Sequence, residues 1–130
     1  MELKILGYRK LVSKKNKMKV YNRRLVKTKE LKDFETYVSF IALEAMKEQE
    51  AEIFKVPVEL ELKVWFGDKR KRDLQNCFDT VCDSLENIVY TDDSQIRKLT
   101  GYKYYEKNIW KFEITVRPLV PQDNKAAGEN

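Results

Sequence analysis

Between Arg72 and Gln95 the chain reads RDLQNCFDTVCDSLENIVYTDDSQ, a stretch with five aspartates: Asp73, Asp79, Asp83, Asp92 and Asp93. A KRKR cluster, Lys69 to Arg72, stands directly before it. Carboxylates gathered in this way are how hard, oxygen-loving Mg²⁺ is held, with waters and substrate phosphate completing its shell. Two such ions about 4 Å apart activate a water and stabilise the leaving oxygen in phosphodiester hydrolysis. A solvated acidic helix face is the competing reading, because carboxylates on a helix commonly meet only water and this spacing alone is not specific.

On a helical wheel Asp73, Asn76, Thr80 and Asp83 form a polar ridge beside an apolar stripe, with Asp79 at its outer edge. Asp92 and Asp93 follow at the mouth of the next strand, after enough chain to turn back toward the helix start. The expectation is a shared site of Asp73 with Asp92 and Asp93, flanked by Lys69, Arg70, Lys71 and Arg72 holding a polyanion.

The elements that must position these groups follow from periodicity. Leu3 and Ile5 alternate with Glu2 and Lys4 as a first strand. From Lys29 to about Glu50, Leu31, Phe34, Val38, Ile41, Ala42 and Ala45 recur at helical spacing, with Thr28 as N-cap. VELELKVWF, residues 58–66, alternates as a half-buried strand. Asp73 then starts a second helix running to about Asn87, its stripe made by Leu74, Cys77, Phe78, Val81 and Leu85. Strands IRKLTGYKYY and Trp110 to Arg117 close the order β-α-β-α-β-β, an α+β fold with a small mixed sheet and two main helices packed on it. Residues 1–117 read as one domain and 118–130 as a flexible tail.

The 130 residues carry a net charge of +5, unevenly distributed. From Arg9 to Lys29 there are ten Lys or Arg and no acid. Lys14, Lys15, Lys17, Lys19, Arg23 and Arg24 in this segment are candidate phosphate contacts, read as a loop that attracts nucleic acid by counterion release. A solubilising surface is the alternative. The absence of histidine excludes Ser-His and Cys-His catalysis and histidine-ligated metals. Cys77 and Cys82, on different sides of one helix, suit neither a disulfide nor a zinc site and read as small apolar fillers. No membrane-length apolar run and no secretory leader pattern is present, so a soluble, cytoplasmic protein is expected.

With these residues in view the sequence resembles the RusA family of Holliday junction resolvases. The carriers are R-D-L-x-N as Arg72, Asp73, Leu74 and Asn76, D-x-L as Asp83 and Leu85, and D-D-x-Q as Asp92, Asp93 and Gln95. The resemblance implies a small homodimeric, Mg²⁺-dependent endonuclease, with Mn²⁺ as a substitute, that resolves four-way DNA junctions in recombination and repair. It assigns the metal-holding, catalytic positions to Asp73 and Asp93, with Asp92 beside it; Asp79 stands as a further catalytic candidate, Asp83 as a further metal ligand, and the basic residues named above as the DNA contacts.

Two positions depart from the family pattern: Gln75 stands where the second aspartate is expected and Asp79 where a lysine is. Three readings stay open: a rearranged site in which Asp79 or Asp83 supplies the ligand and Lys71, Arg72, Lys98 or Lys103 the charge, a junction-binding protein that does not cut, or an altered metal preference. An RNA-processing nuclease is a further alternative. Tyr102, Tyr104 and Tyr105 read as core or edge residues of a strand rather than base-stacking groups, and Trp65 is expected to face away from the core.

Overall fold

The computed structural model describes residues 1–13 and 18–120. Nine residues of strict alternation, Val58 to Phe66, build β4, the long inner strand: Val58, Leu60, Leu62, Val64 and Phe66 are buried, whereas Glu59, Glu61, Lys63 and Trp65 are half-buried on the opposite face. It pairs antiparallel with β6 (Lys111–Pro118) and parallel with β5 (Ile96–Tyr105), while β1 (Leu3–Gly7) pairs antiparallel with β6. The sheet order is β1-β6-β4-β5.

Both helices cover one face. α1 (Lys29–Glu48) starts at Thr28, whose hydroxyl accepts the Leu31 amide, and buries Leu31, Phe34, Val38, Ala42 and Ala45, its 3.6-residue stripe. Phe34 meets the Phe112 ring of β6 edge-on at 5.6 Å. α2 (Leu74–Leu85) packs beside α1 and over β5, where Leu74 and Phe78 press so closely on Gly101 that a Cβ there would lie 2.7 Å from the Phe78 ring. Trp65, as expected from its phase, faces away from the helices and stacks on Tyr104 at 4.8 Å. Tyr102, Tyr104 and Tyr105 are exposed on the edge strand rather than in the core.

Three details differ from the reading of the sequence. The basic segment is not all loop: β2 (Met18–Tyr21) and β3 (Arg24–Lys27) pair as a hairpin whose two turn residues, Asn22 and Arg23, both have positive φ, 49° and 62°. Its strands bury little, with Val20, Tyr21 and Leu25 exposed, so there was no apolar-polar alternation to detect. Secondly, α2 ends at Leu85, short of Asn87, which takes a positive φ of 67° and turns the chain. Thirdly, Thr80 is fully buried, so the polar ridge along α2 is broken at its centre. Lys14, Lys15, Lys17 and most of the 118–130 tail lie outside the described residues.

Candidate functional site

β4, α2 and β5 form a strand-helix-parallel strand unit, in which the helix must run back against the strands it joins. The start of α2 therefore stands over the C-terminal ends of β4 and β5, and its end over their beginnings. That placement decides where each acid goes.

At the start of α2, Asp73 is the N-cap and its carboxylate accepts the Gln75 amide at 2.9 Å. It lines a cleft of about 770 Å³ together with Asn76, Lys10, Arg70, Lys71 and Lys103. The turn before it is braced from within. Arg72 is ion-paired with Asp68 and lies against the Phe66 and Trp110 rings, 4.8 and 5.2 Å from their centroids, with its side chain only 17% exposed. The pairing holds the Asp68 carboxyl at about 2, well below its ordinary 3.8. Lys103 donates to the Arg72 carbonyl at 2.8 Å, tying the turn to β5. Lys69 stands over the Tyr105 ring. Arg72 thus supports the cleft, and Lys10, Arg70 and Lys71 are among the exposed cations that line it.

At the other end, Asn87 reverses the chain and brings a short 3₁₀ turn, Asp93–Gln95, beside the last residue of the helix. Ligand oxygens of Glu86, Asp92 and Asp93 there lie within 4.8 Å of one another. Gln95 holds this corner. Its side-chain oxygen accepts the Thr91 and Asp92 amides at 2.9 and 3.0 Å, and its amide donates to the Phe54 and Val56 carbonyls at 2.9 and 3.0 Å. Asp92 accepts the Ser94 amide, which holds its carboxyl below the usual range, and Glu86 accepts the Asp93 amide at 3.2 Å. The donor set is all oxygen, each carboxylate keeps a second oxygen, and the corner is exposed on one side, a fit for a hard divalent cation.

The expectation that Asp73 shares one ion with Asp92 and Asp93 is not met within a chain. The 12-residue α2 lies between them, about 18 Å of helix. The chain leaving α2 turns at Asn87 beside the helix end and does not travel back to its start. Asp79 and Asp83 sit exposed along α2 between the two ends, outside the three-carboxylate cluster. Lys19, Arg23 and Arg24 are exposed on the hairpin. Glu86 was not singled out from the sequence; the signal for it was Asn87, a residue suited to left-handed backbone, which ends the helix and leaves Glu86 beside the returning aspartates.

On an α+β scaffold, a cationic cleft suits phosphate and a separate oxygen-lined corner suits a hard divalent cation. The chain belongs to the endodeoxyribonuclease RusA family, whose sequence profile matches residues 9–117. Family membership implies a metal-dependent Holliday junction resolvase. No curated protein matches the chain. Among the described residues no helix is long and apolar enough to cross a membrane.

Proposed function

We propose that this chain cuts four-way DNA junctions with Mg²⁺ or Mn²⁺ as a homodimer, each catalytic centre being completed by two subunits. The observation that carries this reading is the separation of the family's acidic residues to opposite ends of α2. Among the described residues Asp73 shares its cation-rich cleft with one other carboxylate, Glu30, whereas Glu86, Asp92 and Asp93 cluster at the far end. Two α2 helices arranged antiparallel about a twofold axis bring the first end of one beside the second end of the other, twice. Two centres related by a twofold suit two symmetric cuts.

Within such a centre Arg70, Lys71 and Lys10 grip the phosphate backbone, and the Arg72–Asp68 pair with Lys103 keeps their turn in place. Gln95 fixes the corner that carries Asp92 and Asp93. Asp93, Asp92, Glu86 and the partner's Asp73 would hold a divalent cation, which would supply Lewis-acid charge for phosphodiester hydrolysis. The reading accommodates Gln75, since Glu86 adds a carboxylate where the second motif aspartate is absent.

A junction-binding protein that does not cut is the second reading, favoured by Gln75 and by Asp79 standing exposed where the family pattern has a lysine. A labelled synthetic junction with Mg²⁺ or Mn²⁺ separates the two. Cleavage by the native chain that is lost in Asp73→Asn and in Asp93→Asn supports the nuclease, and mixing those two inactive variants restores single-strand nicking if the centre is shared. Tight binding without cleavage at any metal concentration supports the second reading. Structured RNA that outcompetes the junction at matched salt replaces both with an RNA substrate.

A further inference from the structure

The helices cover one face of the sheet, and the opposite, open face divides into two halves. Toward the start of β4 its charges answer one another: Arg117 pairs with Glu2, Glu59 and Glu61, and Lys98 stands 3.8 Å from Glu59. Toward the end of β4 that pairing stops and an aromatic row begins. The Trp65 and Tyr104 rings stack at 4.8 Å, and Tyr104 lies parallel to Tyr102 within 4°, their centroids 6.3 Å apart. A lysine closes each end of the row, Lys111 over Trp65 at 4.5 Å and Lys63 over Tyr102 at 5.7 Å.

Strand register explains the row. The parallel pairing of β4 with β5 sets Lys63 opposite Tyr102 and Trp65 opposite Tyr104, and the antiparallel pairing with β6 sets Lys111 opposite Trp65. Residues opposite one another share a face, so the rings and ammonium groups gather on the side away from α1 and α2. Tyr102 and Tyr104 remain 41% and 39% exposed there. Neither Lys63 nor Lys111 is ion-paired with another described residue, and Glu113, opposite Lys63 on β6, makes no ion pair with it. The two cations of this half are therefore held by ring faces alone, whereas those of the other half are neutralised by carboxylates.

From this geometry we infer that the Trp65, Tyr104 and Tyr102 row is a platform for single-stranded DNA, separate from the cleft and from the acidic corner. Ring faces accept unpaired bases of any sequence, and neighbouring cations take the phosphates between them. A base arriving on Tyr102 or Trp65 displaces an ammonium from the ring, and the flexible lysine stem lets that charge move onto the adjoining phosphate. A single strand supplies both the bare base faces that the rings take and the anions that Lys63 and Lys111 lack, whereas a duplex keeps its base faces inside its own stack. The choice of DNA over RNA rests on the reading of the chain as a junction nuclease. The platform then holds an unpaired arm of branched DNA while the cleft, on the helix side of the sheet, takes a paired one.

The test is fluorescence anisotropy of a labelled oligothymidine of about 10 nucleotides with the full chain. The native chain is expected to bind it, Tyr104→Ala to bind it about 5- to 150-fold more weakly, and Lys63→Gln to reduce the slope of log affinity against log salt by about 0.7. Tryptophan emission, quenched by a base stacked on Trp65, supplies a readout that needs no loss of affinity: the quenching disappears in Trp65→Phe, which keeps a ring in the row. A native chain that does not bind the oligonucleotide overturns the platform. So does binding that Lys71→Ala in the cleft weakens while Tyr104→Ala and Lys63→Gln leave it unchanged. Cleavage of a fully paired four-way junction is read separately and is expected to survive Tyr104→Ala, so either result leaves the nuclease standing. A native chain that binds oligothymidine through Tyr104 yet cuts no junction refutes the nuclease and keeps the platform. Oligouridine that binds more tightly than oligothymidine at matched salt overturns the assignment to DNA.

Discussion

Replacing Gln95 with alanine removes a side chain that fastens the acidic corner to the body of the fold. Four hydrogen bonds go with it, two accepted from the Thr91 and Asp92 amides and two donated to the Phe54 and Val56 carbonyls. Water replaces the partner at the exposed Thr91 and Asp92 amides at little cost. The Phe54 carbonyl is less easily served, because the bond it accepts is part-buried and its residue is only 6% exposed. The net loss is about 1–2 kcal/mol, which lowers the midpoint of thermal unfolding by about 3–8 °C in a chain of this length. Freed from Gln95, the Asp93–Gln95 turn no longer holds Asp92 and Asp93 in register with Glu86, and Mn²⁺ binding weakens by about 10–100-fold.

Differential scanning calorimetry measures the first effect and titration of Mn²⁺ by electron paramagnetic resonance the second. Gln95→Glu is an informative companion. It still accepts the two amides but turns carboxylate oxygen toward the Phe54 and Val56 carbonyls, so it is at least as destabilised as the alanine variant. A Gln95→Ala protein that melts within about 1 °C of the native chain and binds Mn²⁺ equally well refutes the role given to this residue, since the bonds removed would then contribute below the range that such bonds supply.

Other outcomes follow from the same geometry. Gly101→Ala forces a Cβ to within 2.7 Å of the Phe78 ring and 2.8 Å of Leu74, pushing α2 off β5, and urea unfolding should register a loss of about 1–3 kcal/mol. Asp68→Asn changes the pH dependence of stability. The folded-state value of Asp68 is depressed from 3.8 to about 2, so its contribution is fully present above pH 3.8 and lost as pH falls through about 2. The variant should therefore be less stable than the native chain at neutral pH and converge with it at the acid end, as followed by circular dichroism. Lys71→Ala, at the exposed rim of the cleft, should weaken junction binding and reduce the slope of log affinity against log salt by about 1, read by fluorescence anisotropy.

Much of the fold was legible before any coordinates. β4 announced itself because alternate residues face opposite sides of a strand and only one side of this sheet is covered, so Val58 to Phe66 had to alternate. Thr28 and Asp73 marked the helix starts because unpaired amides of a first turn need a short oxygen side chain. The hairpin Met18 to Lys27 escaped because neither of its strands has a well-buried face to imprint a pattern on the sequence. The motif residues were likewise visible, since their types and spacings are local properties of the chain.

What only the tertiary structure decided is which of those residues share a space. Sequence spacing allowed the loop after α2 to lead Asp92 and Asp93 back to Asp73. The parallel pairing of β4 with β5 forbids it, because a helix joining parallel strands runs against them and the next strand begins where that helix ends. Arg72 gives a second case: its charge is plain in the sequence, but burial against Phe66 and Trp110 and pairing with Asp68 make it a brace for the cleft. Residue type and spacing are written along the chain, whereas the distance between two carboxylates depends on strand direction, a property set by hydrogen bonds between segments far apart in sequence.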